Sequence, residues 1–503
     1  MQFIFEFLLE KPWRRDLAAL FAGALMPLAY APYDLFFIPI LSVALMLWIW
    51  QNTSYGYATR HGWFFGLGMF GVGVSWVFVA MNVFGHMSIA LAGFCTGVFV
   101  MFLSLYPAIT GYLCARLIGE NKFSHSLFFM PAMWVVLEWV RGWLFTGFPW
   151  LLVGYSQVES PIAAYAPLLG VLGVSWITVL SASLLMLFFQ MGFKPKVGIA
   201  VVLTALWTGG FFIDLLSWTK PAGEKLSVAI LQGNIPQEEK WLPEKRAHTM
   251  ALYRAMTMEK MNKQVIVLPE NALPEFYHNI KSTYLAYLDD IAKSNGAGII
   301  IGMPIQEPAG ERFYNGMAAV GNGRGQYLKH HLVPFGEYIP MERWLGNLME
   351  IMNVPMSNFS SGPLEQDLMR VAGHPVGITI CYEDIFPEEV ITRLPDAHFL
   401  VNASNNGWYG DSLAPHQHLQ IAQMRAKETA RYILRATTNG ISAIINERGR
   451  LQVTSRQFEV AAIEGELTPF TGATPYVRFG NYLILTLLSL SLAASFFTIK
   501  KIK

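Results

Sequence analysis

Residues 376–384 read Val-Gly-Ile-Thr-Ile-Cys-Tyr-Glu-Asp, a short run rich in β-branched residues that leads into a cysteine. The run predicts a buried strand, because β-branched side chains pack well on a pleated surface. Open α/β sheets present reactive groups at the carboxyl ends of their strands, which makes Cys381 a candidate nucleophile. It is the only cysteine in residues 217–480, so no disulfide within that block competes for it. On position alone, a buried structural cysteine is the alternative interpretation.

Outward from this run, residues 217–480 alternate short β-rich segments with longer helical patterns. Alternation of this kind predicts an α/β domain that buries a core of its own. The predicted strands are Leu226–Leu231, Val265–Leu268, Gly298–Ile301, Asn315–Val320, Val376–Ile380, Phe399–Asn402 and Ile441–Asn446. The predicted helices between them include Lys240–Met261, Tyr284–Lys293 and His416–Arg435.

The chain as a whole is far more apolar than a water-soluble domain. Of the 503 residues, 53% are hydrophobic and only 14% are charged, against roughly 25% charged in an ordinary soluble domain. Apolar runs near the ~20 residues that a bilayer-spanning helix needs predict eight transmembrane helices. They lie near residues 17–32, 35–50, 62–81, 88–112, 126–142, 168–190, 197–216 and 481–499. The net charge of +1 gives no reason to expect a nucleic-acid partner, which requires a concentrated basic face.

Loop charges predict the orientation of these helices, because cytoplasmic loops of membrane proteins carry an excess of Lys and Arg. With eight spans, nearly all basic loop residues fall on one side, and the opposite short loops hold only Arg141. We therefore expect both termini in the cytoplasm. The predicted domains are residues 1–216 with seven helices, residues 217–480 as an extracytoplasmic catalytic domain, and residues 481–503 as the eighth helix and a basic tail.

Two further motifs precede Cys381 in the chain. Residues 265–271, Val-Ile-Val-Leu-Pro-Glu-Asn, form a buried strand that ends in Glu270. Residues 329–338, Lys-His-His-Leu-Val-Pro-Phe-Gly-Glu-Tyr, place Lys329 before a tight turn and Glu337. The order Glu270, Lys329, Cys381 resembles the Glu–Lys–Cys triad of the nitrilase (carbon–nitrogen hydrolase) superfamily. That resemblance implies an αββα sandwich for the extramembrane block.

A narrower resemblance covers essentially the whole chain. Five segments are similar to the apolipoprotein N-acyltransferase family: residues 231–241, 331–338, 380–383, 414–420 and, in the membrane part, 141–150. The family implies transfer of a fatty acyl chain from a phospholipid, through a cysteine thioester, to the α-amino group of a diacylglyceryl apolipoprotein. It also implies no cofactor, no metal, a monomer, and a multi-pass protein of the bacterial inner membrane whose catalytic domain is periplasmic.

The resemblance assigns a role to each member of the triad. Cys381 carries the acyl group, Glu270 takes the thiol proton, and Lys329 stabilises the oxyanion. We expect burial at a strand end to raise the pKa of Glu270, as suits a general base. Glu337 is expected to hold Lys329 through a charge-assisted hydrogen bond.

Supporting and substrate-binding roles follow for five other residues. Glu383 is a candidate for handling a proton near the leaving group or the incoming amine. Tyr382 and Trp241 are expected to shape the acyl pocket or its entrance, with core packing as the alternative for Trp241. In the membrane part, Arg141 and Trp150 are expected to bind substrate.

Other functions compete with acyl transfer. A membrane-tethered amidase of the nitrilase type would use water as the acceptor. A transporter keeps ionisable groups near the bilayer midplane, whereas Glu138 and Asp214 fall towards span ends. A Cys–His thiol hydrolase would need His374 or His398 as its base.

Three motifs have simpler interpretations than the functions they suggest. Residues 66–71, Gly-Leu-Gly-Met-Phe-Gly, match a dinucleotide fingerprint, but inside a span such small residues more often allow close helix packing. The pairs His416/His418 and His330/His331 lack a third ligand at metal-binding spacing. The apolar segment Met341–Phe359 is either an arm that gates lipid entry or an ordinary packed helix.

Overall fold

The computed structural model of the protein describes residues 11–117, 121–307, 310, 312–338 and 359–500. The chain forms two compact units. We call the first the helical unit (residues Met1–Phe78, Ala90–Ser217 and Arg478–Lys503) and the second the sandwich unit (Val79–Ile89 and Trp218–Val477).

The helical unit consists of long, strongly apolar helices. Four described helices are long and apolar enough to cross a membrane: Ile89–Arg116, Lys122–Arg141, Pro161–Gln190 and Phe193–Asp214. A fifth span arises if the helices Tyr55–Gly73 and Trp76–Phe84, bent by 50°, are taken as one. The other helices of the unit are shorter in their apolar part: Pro12–Leu25, Ile38–Gln51 and Tyr482–Lys500.

The predicted count of eight spans is therefore not confirmed by the described residues. The first two predicted spans fall on Pro12–Leu25 and Ile38–Gln51, each of 14 residues. At a rise of ~1.5 Å per residue such a helix is about 21 Å long, which is less than the ~30 Å hydrocarbon core of a bilayer.

The glycines of the helix Tyr55–Gly73 allow its neighbours to approach closely. A Cβ at Gly68 would lie 2.1 Å from the carbonyl oxygen of Leu20, and one at Gly66 would lie 2.6 Å from the Cα of Ser104. A Cβ at Gly71 would meet nothing nearer than 4.0 Å. Two of the three glycines in the dinucleotide-like motif thus serve helix packing, as the alternative interpretation predicted.

The sandwich unit contains fifteen strands in the described residues. They are β1 Lys220–Pro221, β2 Leu226–Gln232, β3 Val265–Val267, β4 Gly298–Gln306, β5 Phe313–Gly321, β6 Gly323–Arg324, β7 Gln326–Leu328, β8 Met369–Val371, β9 His374–Ile380, β10 Phe399–Ser404, β11 Ile433–Thr437, β12 Ala443–Ile445, β13 Leu451–Thr454, β14 Ala461–Leu467 and β15 Phe470–Thr471. Six form a sheet in the order β14-β2-β3-β4-β5-β7, and seven form a second sheet in the order β13-β12-β11-β10-β9-β8-β6. The central strands β2, β3 and β4 are parallel, as are β9, β10 and β11.

The two sheets pack face to face. Val228, Val265 and Ile300 of the first sheet share one core with Ile378 and Val401 of the second. Alternate residues of the same strands point to the outer faces, where Ile266 and Ile299 belong to a separate cluster. Helices flank both faces: Pro243–Glu259 and Ala286–Asn295 contribute to the cluster on the first sheet, and Ala414–Thr429 to the cluster on the second. This is the αββα arrangement predicted from the sequence.

One predicted helix is too long. The expected helix His416–Arg435 ends at Thr429, and Ala430 adopts φ +47°, the left-handed conformation that often terminates a helix. The residues from Ile433 onward form β11 instead. They are buried between β10 and β12, and pairing within the sheet decides their conformation.

The topology brings four strand ends to one edge of the sandwich unit. β7 is antiparallel to β5, which is antiparallel to β4, so β7 runs in the same direction as β3 and β4. Glu270 follows β3 and Lys329 follows β7. In the second sheet, Cys381 and Asn405 follow the neighbouring parallel strands β9 and β10.

Candidate active site

Cys381 sits in a sharp turn directly after β9. It begins a 3₁₀ turn and adopts φ +53°, a conformation that costs energy for any residue with a Cβ. Its side chain is 6% exposed, and the backbone N–H of Asn405 donates to the thiol. Burial, reinforced by the negative charge of Glu270, raises the pKa of Cys381 to about 12, whereas Lys329 opposes that rise. The resting group is therefore a thiol that needs a base.

Glu270 is a buried carboxylate surrounded by donors and cations. Its Oε1 accepts from Asn315 Nδ2 at 2.6 Å and lies 3.4 Å from Lys329 Nζ, and the backbone N–H of Asn405 also donates to it. Burial alone would raise the pKa of Glu270, but Lys329, Lys240 and these hydrogen bonds together bring it below its usual value. The expected increase in this pKa is thus wrong, because the neighbouring charges outweigh desolvation.

Lys329 is held by two carboxylates. Its Nζ lies 2.9 Å and 2.8 Å from the two oxygens of Glu337, and 3.4 Å from Glu270 Oε1. Burial by itself would lower the pKa of Lys329, but Glu337, Glu270 and Cys381 raise it well above its usual value. The group is therefore a fixed ammonium at neutral pH. Glu337 is fixed in turn by Asn315 Nδ2 and the backbone N–H of Val333.

Glu383 is satisfied entirely by donors of the protein. Its Oε1 accepts from the hydroxyl of Tyr327 and from the backbone N–H groups of His330 and His331, and its Oε2 accepts from the backbone N–H of Ile380. These bonds tie the chain after Lys329 to the chain before Cys381. Burial raises the pKa of Glu383, although the backbone N–H groups and nearby cations oppose the change. The geometry favours a positioning role over proton transfer to a substrate.

Of the other predicted residues, Tyr382 and Trp241 lie in the sandwich unit and Trp150 lies in the helical unit. Tyr382 is buried, and its ring lies 5.2 Å from that of Phe386 and 5.8 Å from that of His331. Trp241 is partly exposed, directly before the helix Pro243–Glu259. In the helical unit, Trp150 is buried with its ring 5.0 Å from that of Trp76.

Arg141 fixes a loop of the helical unit. It is 3% exposed, and its Nη1 donates to the carbonyl oxygens of Phe148 at 2.9 Å and Trp150 at 2.5 Å. A role in holding this loop follows directly from those bonds. Substrate binding by Arg141 and Trp150 stays a prediction.

The candidate histidines do not form a metal site. Within the described residues, no three His, Cys, Asp or Glu side chains come together as a metal site requires. His418 lies 2.7 Å from Asp384, and His331 lies 2.6 Å from Glu389. His374 and His398 bond each other at 2.9 Å at the start of β9 and β10. That end is roughly 20 Å from Cys381 by the rise of a strand, so neither histidine can be its base.

Sequence reasoning missed several polar groups that surround the triad residues. Asn315 bridges Glu270 and Glu337, and Lys240 Nζ donates to the backbone carbonyl of Glu270 at 3.0 Å. Asn315 could have been noticed in the sequence, because it is a polar amide within the otherwise apolar strand β5. Nothing local distinguished Lys240 from the acidic and basic residues around it. The proposed arm Met341–Phe359 lies outside the described residues except for Phe359.

Comparison with known proteins covers both units. Residues 22–184 match the model of the apolipoprotein N-acyltransferase N-terminal domain, and residues 227–475 match the carbon–nitrogen hydrolase model. The chain is 42% identical to the apolipoprotein N-acyltransferase of Methylococcus capsulatus, covering 93% of this chain and 92% of the relative. It is also 42% identical to that of Nitrosomonas europaea, covering 95% and 96%. Saccharomyces cerevisiae Nit3, a solved nitrilase-superfamily structure, is 19% identical with a TM-score of 0.37, covering 50% of this chain and 93% of Nit3.

Proposed function

This chain belongs to the apolipoprotein N-acyltransferase family and is an acyltransferase of lipoprotein maturation; from that premise we propose that Cys381 carries the acyl group as a thioester. One observation supports the proposal above the others. Lys329 Nζ lies 3.4 Å from Glu270 Oε1, and the charges of both side chains act on the buried Cys381 thiol, as expected of a base and a cation that serve this sulfur. The donor is a membrane phospholipid, and the acceptor is a diacylglyceryl apolipoprotein.

In the first half-reaction, Glu270 takes the proton of the Cys381 thiol as the sulfur attacks the ester carbonyl of the phospholipid. The oxyanion that forms is stabilised by the ammonium of Lys329, which Glu337 holds in place. When the C–O bond breaks, Glu270 returns the proton to the lysophospholipid oxygen. The products are a thioester on Cys381 and a free lysophospholipid.

In the second half-reaction, the α-amino group of the apolipoprotein attacks the thioester. An α-amino group has a reference pKa of about 7.7–8.0, so part of it is neutral and nucleophilic near pH 7. Glu270 accepts a proton from the attacking nitrogen and returns it to the sulfur as the C–S bond breaks. The result is an N-acyl amide and the free thiol, and the cycle balances without an oxidant, a reductant or a nucleotide.

We propose that this chemistry takes place on the outer face of a bacterial inner membrane. The sandwich unit includes the segment Val79–Ile89, and four described helices able to span a membrane separate that segment from Trp218. An even number of crossings returns the chain to the side from which it started. Arg116 and Lys122 lie at the helix ends on the other side, and Lys194 and Lys196 lie in the first turn of Phe193–Asp214 on that side. The charge rule assigns that side to the cytoplasm.

Intact mass spectrometry of the full chain in detergent tests the covalent step. After mixing with phospholipid, the wild type should gain the mass of one acyl group, and Cys381→Ala should gain none. Cys95→Ala is the matched control and should behave as wild type. Adding a diacylglyceryl lipopeptide should discharge the adduct and yield an N-acylated lipopeptide. An adduct that persists in Cys381→Ala contradicts the assignment, and discharge to free fatty acid alone would favour water as the acceptor.

A further inference from the structure

A second buried lysine, Lys240, lies beside the triad residues and has no part in the mechanism described above. It belongs to the loop between β2 and the helix Pro243–Glu259 and is 2% exposed. Its Nζ donates to the backbone carbonyl oxygen of Glu270 at 3.0 Å. Burying an ammonium group costs several kcal/mol unless nearby anions and acceptors compensate it. The charges and acceptors around Lys240 must therefore compensate its burial.

The charges around Lys240 come from several parts of the chain. Glu270 after β3 and Cys381 after β9 both interact with it electrostatically. Lys329 and Glu337 form the neighbouring ion pair, and the phenol of Tyr409 also interacts with Glu270 and Cys381. On the loop of Lys240 itself, Glu239 pairs with Lys245 at 3.0 Å.

These groups form a balanced set. With Cys381 as a thiol, two carboxylates, Glu270 and Glu337, face two ammonium groups, Lys240 and Lys329. Transfer of the thiol proton to Glu270 moves one negative charge to the sulfur and leaves the total unchanged. Without Lys240, the same buried site would carry one uncompensated negative charge whichever group held the proton. A third carboxylate nearby, Glu383, has Arg393 as a further cation.

We propose that Lys240 is a positioning residue for acyl transfer, which fixes the main chain of Glu270 and supplies the second positive charge that lets Cys381 ionise. The proposal rests on the proposed role of Cys381 as the acyl carrier. Lys240 neither gains nor loses a proton in the cycle. Burial lowers its pKa to about 8, against the opposing charges of Glu270 and Cys381, so it is protonated at pH 7 and loses its charge slightly above.

Alkylation of Cys381 by iodoacetamide between pH 6 and 9, located by peptide mass, tests this charge effect in the full chain. Loss of a nearby opposite charge typically shifts a pKa by at least about 1 unit. Below pH 8, Lys240→Met should therefore react about ten times more slowly than wild type. Above pH 8 the two rates should converge, because wild-type Lys240 loses its own charge there.

Two further variants separate charge from structure. Lys240→Gln keeps an N–H donor for Glu270 but carries no charge, so its alkylation rate should match that of Lys240→Met. If Lys240→Met does not fold, Lys240→Gln provides the test. Lys240→Arg keeps its charge at every pH in the range and should not converge with Lys240→Met at pH 9. The control Lys245→Met, at a partly exposed position on the same stretch of chain, should match wild type.

Two outcomes overturn the proposal. One is an unchanged rate in folded Lys240→Met and Lys240→Gln. The other is a constant offset at all pH values, which a purely structural role would give. Failure of the proposed function looks different, because the wild type itself would then form no acyl adduct at Cys381.

Discussion

At the scale of single residues, the ionisation of Glu270 depends on Lys329. Burial would raise the pKa of this carboxyl, and Lys329 is the largest influence in the opposite direction. The folded pKa lies below the usual ~4.3 of glutamate. A lowered folded pKa contributes stability above the unfolded value, and this contribution is lost as pH falls towards the folded pKa. Wild-type Glu270 should thus stay ionised, and able to accept the thiol proton, at lower pH than an ordinary glutamate.

Lys329→Met should move the acid limit of the reaction to higher pH. With the cation removed, burial dominates and the pKa of Glu270 rises, so alkylation of Cys381 should begin to fall at a higher pH than in wild type. Acylation by phospholipid should also slow ~100- to 1,000-fold, as is typical for loss of one oxyanion donor. The measurement is rate against pH from 4 to 8, with exposed Lys225→Met as control. An acid limit that does not move would contradict the proposed coupling.

At the scale of elements, a buried ion cluster supports the turn that carries Cys381. Asp384, within that turn, lies 2.7 Å from His418 of the helix Ala414–Thr429 and 3.2 Å from Arg435 of β11. Arg435 also donates to Asn402 Oδ1 at 2.6 Å, and Asn402 Nδ2 donates to the carbonyl of Cys381 at 3.3 Å. The cluster thus joins the turn to a helix and to two strands.

Arg435→Met should destabilise the protein strongly. It leaves the buried carboxylate of Asp384 without its cation, and breaking one partner of a buried pair costs about 3–5 kcal/mol. Thermal unfolding of the full chain measures the effect, and Arg456→Met, at a highly exposed position, should change it little. The double variant Arg435→Met/Asp384→Asn should recover part of the loss. A double variant no more stable than the single one would show that the charge pair is not the cause.

A matched pair of glycines tests helix packing in the helical unit. Gly68→Ala places a Cβ against backbone atoms of Leu20 and Ala24, which cannot move aside as a side chain can. The cost should be about 1–3 kcal/mol, typical of overpacking. Gly71→Ala meets open space and should be neutral or slightly stabilising, because alanine has the higher helix propensity. Equal melting temperatures for the two variants in detergent would contradict this explanation.

Local patterns predicted the parts of the fold that depend on local interactions. The nearly continuous burial of β2, β3 and β4 was visible as short apolar runs rich in β-branched residues. Motif and order brought forward Glu270, Lys329 and Cys381 as candidates. The pattern could not show β11, because its Ile433–Thr437 continues a helical periodicity and becomes a strand only through pairing with β10 and β12. It also could not give the pKa of Glu270, which depends on Lys240, Asn315 and Asn405 from three other parts of the chain.

At the scale of the whole molecule, the order of elements along the chain constrains the membrane topology. The segment Val79–Ile89 belongs to the sandwich unit although it lies between membrane helices in sequence. Four described helices that could each cross a bilayer follow it before Trp218. If all four cross, Val79–Ile89 and Trp218–Val477 lie on the same side. The two segments lie on the same side however many of the shorter helices span.

Cysteine accessibility in intact cells tests that topology. In a Cys95→Ser background, Ser88→Cys and Glu224→Cys should both react with a membrane-impermeant maleimide, because both positions belong to the sandwich unit. Lys194→Cys, in the first turn of the helix Phe193–Asp214, should react only after the membrane is permeabilised. Opposite behaviour of Ser88→Cys and Glu224→Cys would mean an odd number of crossings between them. It would place Val79–Ile89 across a bilayer from Trp218–Val477, with which it forms one compact unit.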